Sequence, residues 1–258
     1  MNDSNGGRYV GRVVGLWRYP VKSMAGEALG EIDVGWHGFA GDRRWAFVRN
    51  SAVQSGFPWL TIRERPDMSH YRPSFVDPAR PDKSPTIVRT PAGATFDVAD
   101  PALAAELCAE GARVIRHDRG VFDTFPLSVI TTQTIAKLGE MIGAQLAVER
   151  FRPNILVDAD SGAPFCEDDW VGCTLRIGGM RARIDKRDGR CVVITIDPVT
   201  SQRSPTILRT VASERQGCLG VYGSIVEPGR VAMDDGVFVG GCAEMWAVTT
   251  LRRGNCDP

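Results

Sequence analysis

From residue 9 to residue 98 the sequence never runs far without interruption: short segments rich in β-branched and aromatic residues alternate with Gly, Pro and Asp. Proline removes a backbone donor and glycine carries conformational freedom that regular structure must freeze, so each interruption ends an element. Short runs of this composition read as strands, and they fall at 9–17, 28–34, 44–49, 86–89 and 94–98. Pro73, Pro78, Pro81 and Pro85 crowd one stretch with several charges, which predicts an exposed loop over 73–85.

Helices are few. Asp100 followed by Pro101 is a cap and first-turn pair, and good helix formers continue to Glu110 before Gly111. Ile135, Leu138 and Ile142 recur at the helical period over 132–142, with Gly143 as terminator. A third helix is predicted over 205–215, weakened by Thr210 and Val211. Strands resume at 154–157, 174–177, 181–185, 192–196, 219–226 and 237–239. Many strands with few helices imply a mainly β, β-rich α+β fold in which helices cover sheets or barrels. The helix after Asp100 marks the seam between a first unit, 1–100, and a second, 101–258.

The totals exclude several functions. Thirty-one basic and thirty-one acidic residues cancel, so no global field draws the chain to nucleic acid or to an anionic membrane. Any anion site must therefore be local. No apolar run is long enough to cross a bilayer, and the opening MNDSNGGRYVGR lacks the apolar centre of a secretory signal; a cytoplasmic location is expected. The seven cysteines (Cys108, Cys166, Cys173, Cys191, Cys218, Cys242, Cys256) are odd in number and contain no C-x-x-C pair. Neither a disulfide framework nor a zinc site is expected from them. With three histidines, His37, His70 and His117, a histidine-based triad is a poor fit.

Four stretches stand out: YPVKSMAGE (residues 19–27), GDRRWAFV (41–48), FRPNILVD (151–158) and RCVVITIDP (190–198). Taken singly, each reads as ordinary turn and strand chemistry, with charges facing water and a cysteine packed as a small hydrophobe. Their order and spacing, together with GxxYGxxxxPGxVxxxDxV near the end, resemble the MOSC superfamily, named for the C-terminal domain of molybdenum-cofactor sulfurases, with its N-terminal β-barrel partner. The resemblance covers about residues 9–239 and is nearest to the mitochondrial amidoxime-reducing component and its bacterial relatives. It implies a MOSC β-barrel behind a β-barrel-like N-terminal domain, a bound molybdenum cofactor (Mo-molybdopterin), and reduction of N-oxygenated small molecules.

By motif the resemblance places the metal ligand at Cys191. Thiolate is a soft, strongly donating ligand, and cationic neighbours favour it; Arg190 and Lys186 are the sequence neighbours that qualify. Lys22 and Ser23, on a turn between Pro20 and Gly26, suit the cofactor's phosphate. Arg43 matches the family's cofactor arginine, with Arg44 as the adjacent alternative. Arg152 precedes Pro153, which predicts an extended backbone at Arg152, and Asn154 can donate and accept at a pterin edge. Tyr222 is a candidate pocket wall. Thr195 and Asp197 follow the cysteine, Asp197 reading equally well as a turn closure; Arg63 and Asp123 occupy places where relatives carry pocket residues.

One departure is Asp188–Gly189 where many relatives carry a cysteine or serine before the arginine. A carboxylate there is unfavourable beside an anionic metal centre unless Lys186 or Arg187 neutralises it. No iron–sulfur spacing is present, so electrons are expected from separate donor proteins. Two alternatives stay open: a sulfur or cofactor carrier holding a persulfide on Cys191, and a biosynthetic enzyme on the same scaffold that has given up molybdenum.

Overall fold

A computed structural model describes residues 7–242; the first six residues, and Cys256 among those after residue 242, lie outside it. In chain order the strands are β1 (Arg8–Arg18), β2 (Glu27–Ala28), β3 (Glu31–Gly35), β4 (Gly38–Phe39), β5 (Trp45–Arg49), β6 (Arg72–Phe75), β7 (Thr86–Arg89), β8 (Thr95–Asp97), β9 (Ala112–Arg116), β10 (Leu127–Thr131), β11 (Ile155–Ala159), β12 (Thr174–Ile177), β13 (Met180–Gly189), β14 (Cys218–Glu227), β15 (Gly229–Ala232) and β16 (Gly236–Gly240). Three α-helices join them: α1 (Pro101–Leu107), α2 (Thr132–Ile142) and α3 (Pro205–Arg215). The fold is mainly β, as the punctuation implies.

Seven strands close into a barrel in the order β1-β11-β10-β14-β13-β12-β16, with β16 returning to β1. Closure depends on β1. It pairs with β16 along its first half and with β11 along its second, and its register shifts between Tyr9 and Gly11 against β16 and between Val13 and Gly15 against β11. Each bulge adds a residue, so Val10, Val13 and Leu16 reach the barrel core at a spacing of three where a regular strand allows two. Gly11 is required there, because a Cβ would lie 2.3 Å from the Asp158 carbonyl oxygen. The interior is a continuous apolar cluster including Leu127, Val129, Ile155, Val157, Leu175, Ala182, Ile184 and Val221.

All barrel pairs are antiparallel except β10–β11, whose crossover contains α2. Thr131 ends β10 and caps α2 by accepting from the Thr134 amide at 3.2 Å, and Gly143 closes the helix in the left-handed conformation. Ile135 and Leu138 on α2, with Ile207 and Val211 on α3, cover the outer barrel wall at Ile130, Leu156 and Leu219. Complete burial of one such leucine contributes about 2 kcal/mol.

The N-terminal region packs the β5–β9 pair, the β6-β7-β8 sheet and α1 around a second core containing Phe47, Met68, Val88, Leu103 and Leu107. Asp100 caps α1 through the Ala102 amide, 2.8 Å away.

Three local expectations need correction. Residues 72–75 of the proline-rich stretch form a strand: Pro73 faces Val88 in the β6–β7 register, and the edge position of β6 tolerates its missing donor. Residues 192–195 form a 3₁₀ turn, not a strand, because β13 extends to Gly189 and the chain must then fold back under α3. A disulfide joins Cys173 and Cys242, and Cys218 is disulfide-bonded as well. The β12–β16 register pairs Thr174 with Gly240, which sets the flanking cysteines side by side in a way that their 69-residue separation conceals.

Candidate functional site

The first turn after β1, the turn before β5 and the loop entering β11 converge on Tyr19. Arg43 and Arg152 both lie against its ring, with guanidinium carbons 4.7 and 4.3 Å from the ring centre. Its hydroxyl donates to the Pro153 carbonyl at 3.1 Å. Buried Asp42 is the second organiser: it accepts from the Tyr19 amide at 2.7 Å, from Asn154 Nδ2 at 3.0 Å and from Arg43. Asp42 holds the Arg43 pKa up against the opposing effect of burial. Among the described residues, Arg152 has no carboxylate within bonding reach. It donates to the Met24 carbonyl at 2.7 Å, and burial, with the Arg43 charge reinforcing it, pulls its pKa down to about 10.

Ser23, Arg43 and Arg152 have φ of 69°, 49° and 52°, three of seven such non-glycine residues among those described. Left-handed backbone at a side-chain-bearing residue costs about 1–3 kcal/mol and persists only where surroundings enforce it. For Arg152 this corrects the expected extended backbone. Pro153 disfavours the right-handed helical region, and the contacts to Met24 and Tyr19 hold the residue in the left-handed one instead.

Lys22 is buried, its ammonium donating to the Val121 carbonyl at 3.1 Å and to Asp123. Burial lowers its pKa, Asp123 opposes that, and Arg43 and Arg152 lower it further. Asp123 sits half-exposed between two cations, with Lys22 at one oxygen and Arg63 Nη2 3.9 Å from the other. Burial works to raise its pKa, but Lys22 and Arg63 hold it below the usual carboxylate range. The same Arg63 Nη2 donates to Cys191 Sγ at 3.3 Å. A continuous polar chain therefore runs from Lys22 through Asp123 and Arg63 to the half-buried thiol.

Arg63 is held in place from both halves of the chain. Its amide donates to Thr61 Oγ1 at 3.2 Å, and its carbonyl accepts from Arg203 at 2.8 Å. Nearby, Ser201 contacts His70. The cation beside the sulfur is thus neither Arg190 nor Lys186. Arg190 turns inward, donating to the Leu219 and Phe151 carbonyls at 2.7 and 2.8 Å and pairing with Asp188 at 3.0 Å. Lys186 faces Tyr222 across the β13–β14 ladder.

Asp188 falls at a bulge in that ladder, buried, with Ser128 Oγ 3.3 Å away. Burial pushes its pKa up to about 6 against the pull of Arg190. Arg190, rather than Lys186 or Arg187, is its counter-ion; Arg187 pairs with Asp168 instead. Tyr222 stands beside this group, its pKa raised by burial and by Asp188, with Phe125 6.1 Å from its ring.

Asn154 is fully occupied within the scaffold. Its Oδ1 accepts from the Ser128 amide at 3.2 Å, and its Nδ2 donates to Asp42 and to the Trp17 carbonyl. Arg44 lies apart from the cluster, with Nε 3.6 Å from Asp82 on the loop before β7. Thr195 Oγ1 bonds back to the Val192 carbonyl at 2.7 Å. Asp197 closes a turn by accepting from the Val199 and Thr200 amides and pairs with Arg150.

The structure thus gathers Lys22, Ser23, Arg43, Arg152 and Asn154 on one side and Cys191, Arg190 and Tyr222 on the other, joined through Arg63 and Asp123. Tyr19 and Asp42, which organise the group, were not singled out from the sequence, although both lie in motifs that were. Their signal was position, a tyrosine before Pro20 and an acid before two arginines.

Comparisons with known proteins bear on the fold and the family. The chain is 26% identical over 245 aligned positions to molybdenum cofactor sulfurase of Drosophila grimshawi, covering 79% of this chain and 31% of that protein. It is 28% identical over 133 positions to mitochondrial amidoxime-reducing component 1 of Homo sapiens, covering 45% and 37%. The chain therefore spans about a third of the length of these relatives. The crystal structure of YuaD protein from Bacillus subtilis superposes with a TM-score of 0.50 at 12% identity, covering 89% of this chain and 95% of that one, which shows a shared fold. A MOSC N-terminal beta barrel domain matches residues 10–118 and a MOSC domain matches residues 116–238. With these two regions running in sequence through the barrel and the cationic cluster, the chain belongs to the MOSC family.

Proposed function

We propose that the protein is a molybdenum-cofactor-dependent oxidoreductase that reduces N-oxygenated small molecules in the cytoplasm, with electrons from separate donor proteins. The observation that carries this reading is the chain Cys191–Arg63–Asp123–Lys22, which sets a half-buried sulfur at one end of a cationic cluster assembled from distant segments. The residues fit the cofactor. Lys22, Arg43, Arg63, Arg152 and Arg190 outweigh Asp42, Asp123 and Asp188 by two positive charges, as an anionic pterin phosphate requires. A soft sulfur suits molybdenum, and the Arg63 guanidinium lies 3.3 Å from it.

In this reading Cys191 holds the metal, Lys22 and Ser23 hold the phosphate, and Arg43 and Arg152 present flat guanidiniums to the pterin. Arg190 and Asn154 act behind them by fixing the loops, and Tyr222 walls the pocket. The cofactor, when bound, supplies the two-electron chemistry that removes oxygen from nitrogen. The protein's part is to keep the sulfur half-shielded beside Arg63 and to hold the cations before the ligand arrives.

Metal analysis of protein made in a host with intact molybdenum-cofactor synthesis tests the reading. Near-stoichiometric molybdenum in the wild type, lost in Cys191→Ala with the fold intact by circular dichroism, is the expected result. Protein that contains neither molybdenum nor pterin fluorescence overturns it.

A second reading is supported by the longer match to molybdenum cofactor sulfurase, 79% of the chain against 45% for the amidoxime-reducing component. Cys191 then carries a persulfide in cofactor maturation. Intact-protein mass spectrometry showing one added sulfur atom on Cys191, without metal, selects it.

A further inference from the structure

One carboxylate is shared between two cations of the cluster, Lys22 and Arg63. Asp123 engages Lys22 through Oδ1 and faces Arg63 through Oδ2. The side chain of Lys22 is 8% exposed, whereas that of Asp123 is 48% exposed. The cation is built into the scaffold, fixed by the Val121 carbonyl and lying 6.0 Å from the Phe57 ring. The anion reaches it from the segment between β9 and β10, which has bends and turns but no regular structure and includes Gly120 at φ 84°. Anchored cations bridged by a half-exposed carboxylate are the arrangement of an anion site occupied by its own side chain.

We propose that Asp123 is an internal placeholder, a carboxylate that fills an oxyanion site formed by Lys22 and Arg63 and gives way to a phosphate-class ligand. This deepens the reading of Lys22 as a phosphate contact and rests on it, adding Arg63 as a second contact and Asp123 as the group displaced.

The physical logic is a balance of two costs. A buried ammonium without a partner is expensive, so the ligand-free protein needs an anion at Lys22. Asp123 supplies it, and its carboxyl stays ionised because the two cations hold its pKa down. The same carboxylate repels an incoming oxyanion, so binding must displace it, and affinity falls by the cost of that displacement. Exchange also moves the Arg63 partner: with Asp123 gone, the guanidinium is shared between ligand and Cys191 Sγ, coupling phosphate occupancy to the sulfur 3.3 Å away.

Inorganic pyrophosphate is the probe, titrated into metal-free protein by calorimetry at fixed ionic strength, with thermal unfolding followed in parallel. Asp123→Asn keeps the shape and removes the charge. Its ligand-free form melts below wild type, because Lys22 has lost its counter-ion. It binds pyrophosphate about tenfold or more tightly than wild type, and saturating pyrophosphate closes the gap in melting temperature. Adding Lys22→Met to Asp123→Asn abolishes the gain.

Equal affinity in wild type and Asp123→Asn overturns the proposal, as does absence of binding in both. A gain that survives Lys22→Met also overturns it, since the anion then sits elsewhere. None of these measurements uses molybdenum or turnover. A failure here leaves the redox reading standing, and a molybdenum-free wild type leaves the anion exchange intact.

Discussion

Asn154→Ala separates a scaffold role from a ligand role at one position, and its cost follows from the contacts. The change removes the 3.0 Å bond from Nδ2 to Asp42, a fully buried carboxylate whose other donors are the Tyr19 amide and Arg43. It also leaves the Ser128 amide, on buried strand β10, without the Oδ1 acceptor 3.2 Å away. A hydrogen bond to a buried charge contributes about 1.5–3 kcal/mol, and an orphaned buried donor costs about 1–3 kcal/mol. The contacts to the Trp17 carbonyl at 3.3 Å and from Arg43 at 3.5 Å are long and add little. Because the two main losses share one network they add incompletely, giving about 3–5 kcal/mol in total. Urea denaturation of metal-free protein at neutral pH, followed by tryptophan fluorescence and circular dichroism, measures this directly, with an unchanged m-value showing that the same surface unfolds. A loss below about 1 kcal/mol refutes the reasoning, for Asn154 is then no strut.

Two further perturbations probe the other side of the cluster. Burial raises the Asp188 pKa to about 6, so the native state binds a proton that the unfolded chain, with the ordinary carboxyl value of 3.8, releases. Stability from this group is therefore full below pH 4 and falls as pH rises to 6, by up to about 3 kcal/mol. Asp188→Asn removes that fall, and urea midpoints at pH 4, 5, 6 and 7 should shift steadily in favour of the variant; a constant difference across the series contradicts the assignment. Gly220→Ala puts a Cβ 2.8 Å from the Val129 carbonyl and 3.2 Å from Arg190 Nη2, at a φ of 75°. The expected loss is about 1–3 kcal/mol, read as a lower melting temperature, and a neutral variant means that Arg190 does not pack against this glycine.

Two of the three helices, α2 and α3, were legible from sequence to the residue, whereas α1 stops at Leu107, short of the expected Glu110, because Cys108 already adopts an extended conformation. α2 begins at a threonine cap and ends at Gly143, and α3 runs from Pro205 to Arg215 despite Thr210 and Val211, because Ile207 and Val211 bury against the barrel wall. Strands defined by a distant partner were not. β15 exists by pairing with β3, about 200 residues earlier, and β9 by pairing with β5. β10 is buried along its whole length, so it lacks the alternation that marks a half-exposed strand.

The same division runs through the site. Arg43, Arg152 and Lys22 were legible because a cation in a turn motif is visible as such, and their positions follow from strands that end nearby. What each cation faces was not legible, since that depends on which segments meet. Arg190 adjoins Cys191 in sequence, yet its side chain turns to the Leu219 and Phe151 carbonyls, while Arg63, 128 residues away, reaches the sulfur. Adjacent residues in an extended chain point to opposite sides, so the residue beside a reactive cysteine in sequence is a poor candidate for the charge beside it in space. The acids follow the same rule. Asp42 and Asp188 look like liabilities for an anion site when counted in sequence, but each is buried and already matched, one to Arg43 and Asn154, the other to Arg190. Only Asp123 among these three is exposed enough to move. The charge available to a ligand is therefore set at that one residue, whose partners are Lys22, 101 positions back, and Arg63.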